Sequence, residues 1–366
     1  MKPSHAAARL PALLLAGRLE FDFDGVPLHA RGLTVRRRAN LLRSGLGHLL
    51  RLERMPGLPP VVQVEPTNLC DLRCPLCPTG AGTSRRAGGM MSRDTFERLM
   101  DEAGDTLILA ILYGWGEPFL HPELTRMIAR CTEQSVLSLV STNGQHVQTL
   151  EEALAVVDAG LSALIIAMDG CRQETYESYR RGGDLEKVKR CVRLVEEAKR
   201  RRRSDRPCTC LRAVASRRNE TELPEIRRFA REAGVDIFST KSLGCLAESD
   251  AYSQFETAQE ATRRYGAEGR SGQPVRCPYP FRQPTLFWDG TVVGCEFDYN
   301  LEDPWGRLGE RSFRQIWNSS PARRQRRAVL DGARRPAFCE LCPYRGRHGG
   351  GSALEVTPLQ PPAPPA

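Results

Sequence analysis

Short apolar segments alternate with amphipathic segments through the middle of the chain, from about residue 61 to residue 240. The apolar segments are hydrophobic along their whole length, which is typical of strands buried on both faces of a parallel sheet. Amphipathic helices are predicted between them, and residues 185–202 form the longest. Six units are too few for an eight-stranded barrel, so the pattern predicts an α/β fold, a partial (β/α)6 TIM-like barrel. The predicted strands are residues 61–67, 107–113, 136–141, 161–168, 208–215 and 235–240.

Composition excludes several classes of protein. The chain has 366 residues, of which 40% are apolar, so it can bury a sizeable core. No apolar run approaches the ~18–20 residues that span a bilayer, which argues against integral membrane association. The net charge of +9 comes mostly from scattered arginines, without the basic stripe and interleaved aromatics of nucleic-acid-binding proteins. We therefore expect no nucleic-acid partner.

The 13 cysteines, an odd number, point away from a disulfide scaffold in a chain of this length. The N-terminal apolar stretch only faintly resembles a signal peptide, because Arg9 and Pro11 interrupt it and no cleavage site follows. We predict a reduced, cytoplasmic protein whose cysteines are metal ligands or buried small side chains.

The chain is predicted to contain five segments. The first combines a hairpin over residues 19–30, turning at Asp24 and Gly25, with a basic amphipathic helix around residues 36–54. This helix either packs on the barrel as a cap or contacts a membrane surface or an acidic partner. The five segments are the hairpin/helix cap (1–60), the barrel (61–245), a helical connector (246–273), a second cysteine-bearing domain (274–345) and a Gly/Pro-rich disordered tail (346–366).

Three cysteines, Cys70, Cys74 and Cys77, follow the first predicted strand with the spacing C-x3-C-x2-C. In such barrels the active site lies where the C-terminal ends of the strands meet the following loops. Three thiolates leave a structural zinc ion one ligand short. They can instead hold three irons of a [4Fe–4S] cluster and leave the fourth iron open. Three buried thiols are the alternative, which is disfavoured because loops seldom bury their residues.

This motif resembles the cluster-binding signature of the radical S-adenosylmethionine (SAM) superfamily. The resemblance implies that the open iron binds the amino and carboxylate groups of SAM. It also implies that the reduced cluster cleaves SAM to methionine and a 5′-deoxyadenosyl radical, which abstracts hydrogen from a substrate C–H bond. Leu76 stands where an aromatic residue is usual, so the implied contact with adenine is aliphatic.

A second segment, from Tyr113 to Pro118, reads Tyr-Gly-Trp-Gly-Glu-Pro. It resembles the Gly-Gly-Glu-Pro segment of the same superfamily, with Trp115 in place of the first glycine. By this resemblance, Gly116 lets the backbone approach the ligand closely. Glu117, beside the rigid Pro118, would accept hydrogen bonds from the SAM ammonium group.

Two further strand ends carry polar side chains that the resemblance places near SAM. The third strand ends in Ser-Thr-Asn-Gly, and Ser141 and Asn143 resemble residues that bind the ribose or carboxylate of SAM. Asp169 ends the fourth strand at the same face. Each is a common turn sequence when taken alone.

The second cysteine set consists of Cys277, Cys295, Cys339 and Cys342. It resembles the SPASM/Twitch domains of many radical SAM enzymes. Four cysteines imply one auxiliary [4Fe–4S] cluster, so the expected C-terminal unit is a small cysteine-rich iron–sulfur domain. A four-cysteine zinc site fits the same spacing and is the alternative.

Two residues near the end of the sixth strand are candidate catalytic groups. A thiol at Cys245 could return a hydrogen atom to a substrate radical, as in radical epimerases. Lys241 could act as a general base if it is desolvated, or form a surface salt bridge.

Together these features predict a radical SAM enzyme that oxidises (dehydrogenates) or epimerises a small molecule such as a sugar or aminocyclitol. The segment before the barrel looks too short for a fused leader-binding domain. The alternative is a maturase that modifies a ribosomal peptide or protein, and a more remote one is a non-catalytic zinc-binding module. The expected partners are a small-molecule substrate or a peptide, and an electron donor such as flavodoxin or ferredoxin.

Overall fold

A computed structural model describes residues 11–244, 250–264, 277–331, 336–339, 342 and 353–360. Near its start, two antiparallel strands form a hairpin, β1 (Leu19–Phe23) and β2 (Val26–Ala30). Asp24 and Gly25 have φ values of 50° and 80°, as a two-residue hairpin turn of type I′ requires. The hairpin therefore forms where the sequence predicts it.

Six parallel strands form the central sheet, and their order in space is their order in the chain. This arrangement results from repeated strand–helix–strand units. The partial (β/α)6 barrel predicted from the sequence is confirmed. The strands are β3 (Val61–Val64), β4 (Leu109–Leu112), β5 (Leu137–Thr142), β6 (Ala163–Ala167), β7 (Cys208–Ala215) and β8 (Ile237–Ser242).

Helices pack against the outer face of this sheet, and local sequence sets their ends. Ser92 caps one helix, Thr149 and Glu152 form a capping box on another, and Gly234 ends a third in the left-handed conformation. The helices are α1 (Val35–Leu49), α2 (Arg93–Ala103), α3 (Leu124–Glu133), α4 (Leu150–Asp158), α5 (Gln173–Tyr179), α6 (Leu185–Arg202) and α7 (Leu223–Ala233). The seven-residue α5 was not predicted.

Successive residues of the strands alternate between two separate cores. In β4, Leu112 packs outward with the helices and Ile111 packs inward. The hairpin fills part of the barrel interior, because Val26, Leu28 and Ala30 of β2 pack with the inward residues. The N-terminal segment therefore contributes directly to the inside of the barrel.

The C-terminal segment extends the same sheet. A short strand pairs parallel with β3, and two more strands follow it outward. The predicted connector contains a helix and a 3-10 turn (Glu260–Thr262) among its described residues. The elements are α8 (Asp250–Phe255), α9 (Tyr279–Arg282), β9 (Thr285–Leu286), β10 (Thr291–Val293), β11 (Gly306–Arg307), α10 (Phe313–Trp317), α11 (Ser320–Asp331) and β12 (Ala353–Pro358).

The prediction of a disordered tail over residues 346–366 is wrong for the residues of β12. These residues pair antiparallel with β8, at the edge of the sheet opposite β11. In the sequence, Leu354 and Val356 alternate with polar residues, a strand pattern that the neighbouring glycines and prolines obscure. The strand covers the free edge of β8. No helix in the described part of the chain has the length and apolarity needed to span a membrane.

Candidate active site

Cys70, Cys74 and Cys77 lie in the loop between β3 and α2, which begins at the C-terminal end of β3. The hydroxyl group of Thr67 donates a hydrogen bond to Gly89 O at 2.7 Å and closes the base of this loop. Cys77 N donates to Cys74 O at 3.2 Å, so these two cysteines share a tight turn. Cys74 is buried, whereas Cys70 and Cys77 keep accessible surface.

The segment from Tyr113 to Pro118 runs directly against the cysteine loop. Glu117 N donates to Leu69 O at 2.8 Å. A Cβ atom on Gly116 would lie 2.2 Å from Thr67 O and 2.6 Å from Leu69 O, which is closer than carbon and oxygen atoms can pack. Gly116 is therefore needed where two stretches of backbone meet.

We expect Gly116→Ala to destabilise the protein by about 1–3 kcal/mol, because the backbone of the cysteine loop must move to admit the methyl group. Less iron should also bind after anaerobic reconstitution. Denaturant unfolding and an iron count measure the two effects. Gly45→Ala is the control, because its methyl group would meet no atom within 4 Å. Unchanged stability and iron content in Gly116→Ala would contradict this assignment.

Glu117 is buried, and its carboxylate is bonded within the protein. One oxygen accepts from Thr142 Oγ1 at 2.8 Å and from Phe119 N at 3.1 Å, and the other accepts from Asn143 N at 2.7 Å. Burial raises the pKa of Glu117, and these hydrogen bonds oppose the shift. Because a carboxylate has about four acceptor positions, Glu117 can still accept the SAM ammonium group as predicted. Pro118 begins the short 3-10 turn that follows.

The segment after β5 also holds the start of the cysteine loop. Asn143 Nδ2 donates to Asp71 Oδ1 at 2.7 Å, and His146 Nε2 lies 3.2 Å from Asp71 Oδ2. The hydrogen bond with Asp71 raises the pKa of His146. Sequence reasoning missed both Asp71 and His146. The only available signal was that Asp71 directly follows Cys70.

Asp169 positions an arginine beside the second cysteine. Its carboxylate lies 2.5 Å from Arg180 Nε and accepts from Val214 N at 2.6 Å. Arg180 Nη1 in turn lies 3.9 Å from Cys74 Sγ; burial raises the pKa of the Cys74 thiol, and the charge of Arg180 opposes that shift. No sequence motif indicated Arg180, and the SAM contact of Asp169 stays a prediction.

Three predicted site residues remain to be placed: Leu76, Ser141 and Cys245. Leu76 is half-buried in the cysteine loop. Ser141, near the end of β5, shares the inward face of Leu139 and is also half-buried. Cys245 lies outside the described residues.

One cavity is lined by all four C-terminal cysteines: Cys277, Cys295, Cys339 and Cys342. Phe297 and Phe338 form part of its apolar wall. A tetrahedral zinc ion with ~2.3 Å bonds would hold four sulfurs about 3.8 Å apart. Among the described residues, no three Cys, His, Asp or Glu side chains are arranged to hold a metal ion. These four thiols around one cavity are the donor set that would hold a [4Fe–4S] cluster.

Comparison with known protein families agrees with this division into two cysteine sets. Residues 64–230 match the Radical SAM superfamily, and residues 277–343 match SPASM, an iron–sulfur cluster-binding domain. The two matches span well over half of the chain, and each contains one cysteine set. The chain belongs to the radical SAM superfamily. This radical SAM enzyme uses SAM, a SAM-binding [4Fe–4S] cluster and an auxiliary cluster.

Two curated relatives match most of this radical SAM enzyme. A tungsten-containing aldehyde ferredoxin oxidoreductase cofactor-modifying protein from Pyrococcus furiosus is 24% identical over 70% of this chain and 80% of its own. PqqA peptide cyclase from Gluconobacter oxydans is 25% identical over 83% of this chain and 88% of its own. The solved structure of SuiB from Streptococcus suis, bound to S-adenosylmethionine, has a TM-score of 0.60 at 12% identity. It covers 84% of this chain and 75% of its own, and shares the fold.

Inside the barrel of this radical SAM enzyme, the hairpin tip brings an acid to two basic side chains. One oxygen of Asp24 lies 2.7 Å from Arg212 Nη1 and 2.9 Å from Lys241 Nζ. Arg212 on β7 and Lys241 on β8 share the inward faces of Cys210 and Ile237. Lys241 is therefore in an interior ion pair and keeps some accessible surface. Its role as a general base stays a prediction.

The SPASM domain adds a second acid to the same region. Glu296 directly follows Cys295 and accepts a hydrogen bond from Gln63 Nε2 of β3 at 2.6 Å. Burial raises the pKa of Glu296, opposed by the bond from Gln63 and by the charge of Lys241. We call Asp24, Arg212, Lys241 and Glu296 the interior charge cluster. Sequence reasoning missed its two acids, because no motif links the hairpin or the SPASM domain to the inside of the barrel.

Proposed function

We propose that this radical SAM enzyme is a maturase that modifies a peptide or protein substrate. The observation that carries the proposal is the similarity to PqqA peptide cyclase, which extends over 83% of the chain. The first expectation from the sequence, oxidation or epimerisation of a sugar or aminocyclitol, draws no support from the two curated relatives described above. SuiB has also been solved bound to its precursor peptide SuiA, so a protein of this fold can admit a peptide.

The interior charge cluster supports a polar substrate. Asp24 and Glu296 offer acceptors, and Lys241 offers donors, near the C-terminal ends of the strands. A peptide presents both amide donors and carbonyl acceptors, so it can pair with groups of both kinds. The hairpin tip is in this proposal part of the substrate site, because it supplies Asp24.

Each residue set has a separate role in the proposal. Cys70, Cys74 and Cys77 would hold the SAM-binding cluster, which would supply the electron that cleaves SAM to methionine and a 5′-deoxyadenosyl radical. Glu117 and Asn143 would orient SAM, with Glu117 held in place by its three protein donors. The four C-terminal cysteines would hold the auxiliary cluster. We propose flavodoxin or ferredoxin as the electron donor, and the net charge of +9 favours an acidic one.

The test uses the full chain, reconstituted anaerobically with iron and sulfide. We expect about eight irons per chain, since two [4Fe–4S] clusters hold four each. With dithionite, SAM and a panel of synthetic peptides, we expect 5′-deoxyadenosine and a peptide that has lost two hydrogen atoms. One hydrogen atom would go to the 5′-deoxyadenosyl radical, and the other would leave as a proton while its electron passes to the auxiliary cluster. Mass spectrometry of the peptide and chromatography of the nucleoside measure these products.

The matched controls replace cysteines inside and outside the two sets. A Cys70/Cys74/Cys77→Ala variant should keep about four irons and make no 5′-deoxyadenosine. Cys208→Ala, on β7, should behave as the wild type. Peptides that stay unmodified, together with oxidation of a sugar or aminocyclitol by the same preparation, would reject the maturase and support the small-molecule enzyme.

A further inference from the structure

The helix α1 packs on the barrel through its polar side. Arg37 Nε donates to Leu107 O at 2.9 Å, and Asn40 Nδ2 donates to Leu58 O at 3.0 Å. Ser44 and Gly47 are buried on the same side. The buried face of α1 is therefore held mainly by hydrogen bonds and close backbone packing, and Leu41 at its edge is partly buried against the inward core.

The opposite side of α1 is apolar and exposed. Val35 is 73% exposed, Leu46 is 52% exposed and Leu49 is 79% exposed. At 100° per residue, these three and Leu42 fall within an arc of about 60°. Leu50 continues the patch at the end of the helix. We call Val35, Leu42, Leu46, Leu49 and Leu50 the leucine face.

This arrangement is the reverse of an ordinary surface helix, which buries its apolar stripe. Of the twelve large apolar side chains that are exposed in the described residues, eight lie between residues 14 and 52. Leu14 and Leu15 are among them, and Arg38 Nη1 donates to Leu14 O at 2.6 Å, so these leucines lie beside α1. A concentration of this kind marks an interaction surface.

Arginines border the leucine face. Arg36 and Arg43 flank it on one side and Arg38 on the other, and α1 itself contains no acidic residue. Arg36 pairs with Asp105 at 2.6 Å, so Arg38 and Arg43 supply the net positive charge beside the face. A second copy of the chain would bring these arginines together without a counter-charge on the helix. The face is also open: a methyl group on Gly45 or Gly32 would meet nothing within 4 Å. Partner helices usually dock in a groove between two elements, whereas a lipid surface needs none.

We propose that the leucine face binds the surface of a membrane that contains anionic lipids. The leucines would enter the headgroup region, and Arg38 and Arg43 would contact lipid phosphates. The helix would lie in the plane of the membrane surface, with its polar side still on the barrel. This proposal is independent of the reaction that the enzyme catalyses.

The test is sedimentation of the full, reconstituted protein with vesicles. We expect it to bind vesicles of phosphatidylcholine and phosphatidylserine, and to bind pure phosphatidylcholine less. Added salt should weaken the binding, because it screens the arginines. Leu46→Glu/Leu49→Glu should lower the vesicle-bound fraction at least about tenfold, since it removes apolar contact and adds repulsion.

The control variant is Leu330→Glu/Val356→Glu, which makes the same change of charge at two exposed apolar positions elsewhere. It should bind vesicles nearly as the wild type does. Arg43→Glu tests the charges separately and should weaken binding to the anionic vesicles. No binding to anionic vesicles, or equal loss in the control, would overturn the proposal. So would a wild-type dimer, seen by light scattering, that Leu46→Glu/Leu49→Glu converts to a monomer.

Discussion

Replacing Arg86 by alanine is expected to destabilise the protein by about 3–5 kcal/mol, because it leaves a buried carboxylate without its counter-charge. Arg86 is in the cysteine loop and forms two parallel hydrogen bonds with Glu65, at 2.8 and 2.7 Å. The two side chains are only 6% and 0% exposed. The loop that carries the first cysteine set is thus attached to the end of β3 by a buried ion pair.

Arg86 also joins the cysteine loop to the SPASM domain. Its Nε donates to Tyr299 O at 2.6 Å, and its guanidinium lies 4.0 Å from the ring centre of Phe287. Removing the side chain would leave Tyr299 O and both carboxylate oxygens of Glu65 without these donors. The variant should therefore lose part of its iron as well as its stability, which an iron count after reconstitution measures.

The loss of stability in Arg86→Ala should depend on pH. Burial raises the pKa of Glu65 above its ordinary 4.5, and Arg86 opposes that shift. Without Arg86 the pKa of Glu65 rises further, so the folded variant binds a proton that the unfolded chain has released. Stability from such a group is fully present below the unfolded pKa and is lost as pH rises through the folded pKa. The difference in the free energy of unfolding between wild type and Arg86→Ala should be largest at neutral pH and should decrease as pH falls.

Arg85→Ala is the matched control for this prediction, because it removes an adjacent arginine from an exposed pair. Arg85 lies 3.3 Å from Glu302, with 73% of its side chain exposed. Its removal should change the free energy of unfolding by less than about 1 kcal/mol. The free energies of unfolding of both variants are compared by anaerobic denaturant unfolding at several pH values. Equal effects of the two substitutions would contradict the buried-pair argument, and Arg86→Ala/Glu65→Gln should restore part of the lost stability.

Features that depend on neighbouring residues could be predicted from the sequence. The strand over Cys208–Ala215 and the helix over Leu185–Arg202 have the predicted bounds, because apolar patterning sets both. The hairpin was predicted because Asp24 and Gly25 suit its turn. The cysteine spacing likewise identified the superfamily.

Contacts between distant segments could not be predicted, because they leave no local pattern. Asp24 and Arg212 are 188 residues apart, and no sequence motif relates one to the other. Apolar residues occupy alternate positions of β2, and such a strand face can pack on any apolar surface. The sequence therefore did not show that β2 lies inside the barrel. The polar buried side of α1 was missed for a related reason: the apolar stripe of a helix is ordinarily assumed to face the core.

Replacing Trp115 by glycine is expected to loosen the SPASM domain from the barrel, at a cost of about 2–4 kcal/mol. Trp115 stands where the resemblance to the Gly-Gly-Glu-Pro segment leads one to expect a glycine. Trp115 Nε1 donates to Glu296 O at 2.8 Å. Its ring packs edge-on against Tyr299 and tilted against Phe297, with centres 5.7 and 6.0 Å apart. Loss of the ring removes these contacts next to the auxiliary cysteines.

The effect of Trp115→Gly should be local, because the other contacts of the barrel core do not involve this ring. Opening of residues 277–299 should become about 30- to 1000-fold more frequent, as a cost of that size implies. Hydrogen exchange measures this opening, and a chelator should remove the auxiliary iron faster than the iron of the first cysteine set. Trp115→Phe keeps the ring packing and loses only the hydrogen bond, so its effect should be near 1 kcal/mol. If both variants exchange alike, or if iron leaves both sites at the same rate, Trp115 does not fix the SPASM domain to the barrel.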